Sequence, residues 1–234
     1  MEDRESTSKL GQYFVQIKEH LDQMDKLREE ILPIQRSAVR ICSEIIKKIH
    51  RNQLETIPTQ INEVKSIVQK IKGLIQQAPG IFAADYLSIV QQEFGEAALF
   101  YHLIVNHTYI SPEEVGIDYV EYAYACADLI GELRRYALDA LRNENLELAL
   151  NALSQMDTIH GELFSMDYPK GLVPGLRPKI DQARNILART ESDIAVSANI
   201  LKLNRNLAKL NISSKIILEP FSDDQENPQN SDSD

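Results

Sequence analysis

Cysteine, glycine and proline are all scarce in this chain of 234 residues, which has two, nine and nine of them respectively. Cys42 and Cys126 sit in apolar stretches and form no C-x-x-C pair, which excludes a zinc knuckle or a dithiol redox centre and makes a reducing, cytoplasmic setting the simplest expectation. The shortage of glycine and proline, beside an abundance of Leu, Ile, Ala, Glu and Gln, favours long helices over strands and tight turns. There is no Gly-rich phosphate loop, no G-x-S-x-G nucleophile turn and no zinc signature. Long hydrophobic runs are missing as well. The most apolar one, residues 97–105, contains His102 and falls far short of the ~20 residues that cross a bilayer. The opening MEDRESTSKL is charged and polar, unlike a secretory signal. No membrane association is therefore expected.

What is present suffices for a sizeable core: 43% of residues are hydrophobic. The net charge of −10 is unevenly spread, because Glu219, Asp223, Asp224, Glu226, Asp232 and Asp234 supply six of those charges with no basic residue among them. With Pro220, Pro228 and many Ser, Asn and Gln residues, this segment buries too little apolar surface to order itself. The chain thus divides into a flexible start at 1–7, a helical domain at 8–218 and an acidic disordered tail at 219–234.

Within the domain, apolar residues recur at helical spacing in about seven segments. The first, residues 8–32, steps through Leu10, Phe14, Ile17, Leu21, Met24 and Leu27 until Pro33 interrupts it. Residues 34–51 and 57–77 follow, the latter closed by Ala78-Pro79-Gly80, and a fourth segment covers 83–107. Ser111-Pro112-Glu113-Glu114 has the chemistry of a capping box and is expected to start a fifth helix reaching residue 141. A sixth covers 144–164, and a seventh runs from the Pro174-Gly175 and Pro178 signals to about residue 210. The predicted architecture is all-α, a single antiparallel helical bundle.

The fourth and fifth segments hold an unusual set of carboxylates. Glu93 and Glu96 are three apart on one face of an otherwise apolar helix, and Asp128 and Glu132 are four apart amid small and apolar neighbours. Isolated E-x-x-E pairs on helices are ordinarily solvated or salt-bridged. Here, however, the positions three and four away from Glu93, Glu96 and Asp128 hold no lysine or arginine, and only Glu132 has one, Arg135. Like charges so placed inside a bundle repel and incur desolvation on the order of several kcal/mol unless paired or metal-bound. All-oxygen ligands select a hard cation, so Mg2+ or Mn2+ is expected on these four residues. Such ions acidify water and neutralise a phosphodiester, which implicates phosphate as the substrate group.

Competing sites are weaker. Iron-carboxylate bundles need Glu-x-x-His on two helices, and only Asp157-Thr158-Ile159-His160 comes near. His50, His102 and His107 have no mutual ligand spacing. The Tyr119, Tyr122 and Tyr124 group has base-stacking chemistry, although such spacing more often serves a core.

One family fits these segments. Residues 121–135, EYAYACADLIGELRR, resemble the D-Y-x-x-G-x-A-D-L-x-G-E-L-x-R signature of translin-associated factor X, the catalytic branch of the translin family. Glu93-Phe94-Gly95-Glu96-Ala97 is similar to that family's E-x-x-E-A, and His50-Arg51 and Leu187-Ala188-Arg189-Thr190-Glu191-Ser192 also have counterparts. The resemblance spans roughly residues 8–210. Glu121 and Ala125 depart from it, standing where the family has aspartate and glycine. It implies a seven-helix bundle assembling into a hollow octamer, a magnesium-dependent endoribonuclease for single-stranded RNA, and a catalytic role for Glu93, Glu96, Asp128 and Glu132. Translin itself lacks the E-x-x-E pair. The short 108–110 connection resembles a prokaryotic or archaeal member, which would build a homo-octamer, with a translin-like second subunit as the alternative.

The basic stretch by which translin meets nucleic acid is absent from residues 82–88, FAADYLS. RNA contact is instead expected from Lys47, Lys48, His50, Arg51, Arg134 and Arg135. Two other functions remain open at this level, an all-α magnesium-dependent nucleotide pyrophosphohydrolase and a non-catalytic nucleic-acid-binding or scaffold bundle.

Overall fold

A computed structural model describes residues 2–77 and 81–217 of the chain. The Ala78-Pro79-Gly80 break and the acidic tail expected at 219–234 lie outside the described residues. Among the described residues there is no strand, and the helices are α1 (Glu2–His50), α2 (Ile57–Gln77), α3 (Ile81–Tyr101), α4 (Pro112–Val115), α5 (Tyr119–Arg142), α6 (Leu146–Phe164) and α7 (Leu176–Ile217). None of these helices is long and apolar enough to cross a membrane.

Several boundaries differ from the sequence expectation, α1 already starting at Glu2 inside the stretch 1–7 expected to be flexible, and two of the differences have a clear physical reason. Segments 8–32 and 34–51 are one helix, with Pro33 inside it. Proline there removes the amide that would bond to the Glu29 carbonyl and costs about 3 kcal/mol in a helix interior. Burial on both sides offsets that cost: Ile31 and Ala38 are fully buried, so the apolar face continues through Pro33 without a change of register. The second difference is at residue 111. The capping box forms, with the Glu114 N–H donating to Ser111 Oγ and the Ser111 N–H to Glu114 Oε2, yet it opens only the one-turn α4. Gly116, at φ +87°, ends that turn, its N–H and that of Ile117 both donating to the Pro112 carbonyl. α5 begins afresh after the extended Asp118.

The bundle is organised around α5, which packs against α3, α6 and α7, while α3 also contacts α1 and α2. Phe94, Phe100, Leu129, Ile130, Leu133 and Met156 are fully buried where these helices meet, each contributing roughly 2–3 kcal/mol by leaving water. A polar pin sets the register of α5 on α3. Buried Gln91 donates to Asp118 Oδ2 and accepts from the Asp118 N–H, and Lys72 of α2 reaches the same carboxylate at 2.9 Å. Below the pin, α3 and α5 approach closely: a β-carbon on Gly95 would stand 2.7 Å from Ala125 Cβ and 2.7 Å from Ile117 Cδ1. α3 ends in a wider π-turn, His102–Asn106, closed by His107 in the left-handed region.

Two helices extend past the core with apolar stripes uncovered. On α1, Leu10, Phe14, Ile17 and Leu21 are each about half exposed; on α7, Val196, Ile200, Leu203 and Leu207 repeat the same four-three-four spacing and the same exposure.

Candidate active site

The Gly95–Ala125 contact brings together the carboxylates that flank it. Glu93 and Glu96 follow from α3, Asp128 and Glu132 from α5, and the i, i+3 and i, i+4 spacings turn each pair toward the space between the helices. Glu96 and Asp128 line one cleft of about 280 Å³, together with Gly131 of α5 and Lys179 of α7.

Charge around this cleft is only partly compensated. Burial pushes the Glu93 carboxyl above its usual range and the negative Asp128 adds to this, while Lys179 works the other way. Glu96 is pushed up to about 8, first by burial and then by the fields of Asp128, Glu132 and Glu93, against the same lysine. Among the described residues neither glutamate has an ion-pair partner. Asp128 does: Lys179 Nζ donates to both of its oxygens at 2.6 Å. Glu132 also has partners. His50, at the end of α1 and with a side chain only 3% exposed, donates from Nε2 to Glu132 Oε2 at 2.7 Å, and Arg135 stands 3.7 Å from the same oxygen. Phe100, 5.0 Å away between ring centres, packs against the His50 ring, whose Nδ1 has no hydrogen-bond partner among the described residues and stands 3.6 Å from Asp139.

All four sequence-predicted carboxylates are therefore brought into one electrostatic cluster. Two of their neighbours come from far along the chain. Lys179 comes from α7, 51 residues after Asp128, and no spacing rule on α3 or α5 points to it. His50 carried a signal, as a family-like position, but for RNA contact rather than for holding Glu132.

The expected RNA-contacting residues are dispersed accordingly. Lys47, Arg51 and Arg135 are exposed. Lys48 is occupied with Thr56 and Gln60. His50 is buried, and Arg134 is tied to Thr190 and Asp193 on α7, so these two hold helices together instead of facing solvent. Arg142 was not singled out from sequence, yet its side chain is 77% exposed and shares a cleft of about 330 Å³ with Gly131, Arg134 and Arg135. Through Gly131 this arginine cleft adjoins the carboxylate cleft. Of the tyrosine group, the exposed Tyr119 and Tyr122, which donates to the Ile110 carbonyl, line one cleft, while Tyr124 is buried with its hydroxyl on the Pro174 carbonyl.

The donor set fits a hard divalent cation in its chemistry. It is all carboxylate, and two of its members are held above their usual protonation range, first by burial and then by their acidic neighbours. It is not a preformed cage. Among the described residues no group of three or more His, Cys, Asp or Glu side chains stands ready to hold a metal ion, and the Lys179 ammonium occupies the cationic position against Asp128.

Comparison with known proteins finds likeness in both sequence and fold. The family model described as the Translin family matches residues 16–194. An uncharacterized protein of Methanocaldococcus jannaschii is 33% identical over 197 residues, which is 82% of this chain and 86% of that protein. Among solved structures, the AfC3PO–duplex RNA complex is similar with a TM-score of 0.72 at 26% identity, covering 82% of this chain and 98% of the other. The crystal structure of AfC3PO gives a TM-score of 0.71 at 27% identity, covering 80% and 97%.

Proposed function

This chain belongs to the translin family, and on that premise we propose that it is a divalent-metal-dependent endoribonuclease cleaving single-stranded RNA at the Glu93, Glu96, Asp128 and Glu132 cluster. One observation carries the reading above others: Glu93, Glu96, Asp128 and Glu132 of two packed helices stand in one electrostatic cluster, Glu96 and Asp128 lining its cleft, and among the described residues Glu93 and Glu96 have no ion-pair partner. These four residues would hold Mg2+ or Mn2+, which acidifies water and neutralises phosphodiester charge at neutral pH.

The remaining roles fall to the chain's own side chains. His50 orients the Glu132 carboxylate, and its burial against Phe100 keeps the ring from rotating away. Lys179 holds Asp128. Arg135 and Arg142, along the adjoining cleft, are placed to receive phosphates flanking the scissile bond. That the related AfC3PO forms a complex with duplex RNA supports RNA as the polymer. The uncovered stripes of α1 and α7 support self-association, for which we propose the homo-octamer.

Purified protein with labelled single-stranded RNA is the direct test. Internal cleavage in magnesium that stops when chelator is added is the expected result. Cleavage persisting in chelator would refute the metal-dependent reading. Pyrophosphate release from nucleoside triphosphates without RNA cleavage would favour a pyrophosphohydrolase, and tight RNA binding without turnover would favour a binding module. For the arginine cleft, Arg135→Ala and Arg142→Ala in the Asp128→Asn background are each expected to weaken RNA binding irrespective of sequence. Each should lower the slope of log affinity against log salt by about 1. Fluorescence anisotropy over a salt series measures this, and an unchanged slope in both variants would remove the cleft from the RNA path.

A further inference from the structure

Among the described residues Lys179 is the one cation lining the carboxylate cleft, and its position is built rather than incidental. It projects from the start of α7, whose approach to α5 is set on two sides. The Tyr124 hydroxyl donates to the Pro174 carbonyl just before the helix, and Arg134 bridges to Thr190 and Asp193 further along it. Between these ties the ammonium lies 2.6 Å from both Asp128 oxygens and 5.9 Å above the Tyr124 ring centre, with the side chain 29% exposed. A lysine engaging both oxygens of one carboxylate takes up the lone pairs that a hard cation would use.

We propose that Lys179 is a tethered counter-ion of the carboxylate cluster, holding Asp128 in the metal-free protein and giving it up when a divalent cation binds. This rests on reading the cluster as a divalent-cation site. Lys179 is then a positioning residue with two opposed effects. It stabilises the metal-free bundle by linking α7 to α5, and it lowers apparent metal affinity, because the competent state is the fraction of molecules in which Asp128 is free. The flexible four-carbon stem allows such an exchange, whereas a guanidinium, fixed by its planar fork on a carboxylate, releases it less readily.

The two substitutions that follow have effects of opposite sign. Lys179→Gln is expected to lower the thermal midpoint of the metal-free protein and to tighten Mn2+ binding by about tenfold in titration calorimetry, with a larger rise in midpoint on adding Mn2+ than the original chain shows. Lys179→Arg keeps the metal-free midpoint and is expected to bind Mn2+ several-fold more weakly. Because the arginine variant retains the charge and the helix link, it reports on the proposal even if the glutamine variant folds poorly. Equal Mn2+ affinity in all three proteins would overturn the proposal, as would no Mn2+ binding by any of them. Mn2+ binding that responds to residue 179 as described, in a protein that does not cleave RNA, would support the counter-ion role while removing the nuclease reading.

Discussion

Glu96→Gln is expected to reduce magnesium-dependent RNA cleavage at least about a hundredfold, while making the metal-free protein more stable at pH 8. Both effects have one origin. Glu96 is the most strongly perturbed carboxyl of the cluster, pushed from an ordinary 4.5 up to about 8 by burial and by its three acidic neighbours. Its charged form therefore gains strongly from a supplied cation beyond what Lys179 provides, and a neutral amide of the same shape cannot draw one in. The sign of the pH effect follows from proton counting. Between about 4.5 and about 8 the folded carboxyl retains a proton that the unfolded one has released, so stability present below that window is lost as pH rises through it. The loss amounts to about a few kcal/mol, and each kcal/mol moves the midpoint of a chain this long by about 2–4 °C. Thermal unfolding in chelator at pH 5, 6.5 and 8 should show a falling midpoint for the original chain and a flatter profile for Glu96→Gln. An identical profile in both would mean that Glu96 is not buried among like charges, and undiminished cleavage would remove it from the active centre.

Gly95→Ala is expected to destabilise the bundle by about 1–3 kcal/mol, and Gly95→Val by more, with a parallel loss of cleavage. The new β-carbon would meet Ala125 Cβ at 2.7 Å, and that atom cannot rotate away because it is fixed to the α5 backbone. Ile117 Cδ1 lies at the same distance but ends a flexible side chain, so it can yield. α5 must move off α3, and the movement separates Glu93 and Glu96 from Asp128 and Glu132. Ala125→Gly restores the space, so the Gly95→Ala/Ala125→Gly pair should recover most of the lost stability; denaturant unfolding of the four proteins in the cycle measures the coupling. Additive losses in the pair would show that the two helices do not meet at these residues.

Local chemistry made much of this legible from the chain alone. The apolar periodicity of α2, α3, α6 and α7, the Ser111 capping box and the convergence of Glu93 with Glu96 and of Asp128 with Glu132 depend on neighbours within four residues, which a sequence displays directly. The resemblance of residues 121–135 to the translin family was likewise local, and the family match over residues 16–194 agrees with it. The misplaced boundaries show where that reach ends. Pro33 carries a strong local signal for a break, overridden by burial of Ile31 and Ala38 against other helices. The capping box was read correctly as a helix start, but the helix length was decided by Gly116 and by the Gln91–Asp118 pin from α3.

The sequence by itself thus determined an all-helical chain, its family and four acidic residues whose neighbours along their own helices left three of them without a cation. Tertiary structure alone decided which charges answer them: Lys179 from α7 on Asp128 and His50 from α1 on Glu132, with Glu93 and Glu96 left without an ion-pair partner among the described residues. The reason is range. Helical spacing fixes contacts over about four residues, whereas a buried charge is compensated by whichever side chain the packing brings within a few ångströms, and here that packing joins residues 51 and 82 positions apart.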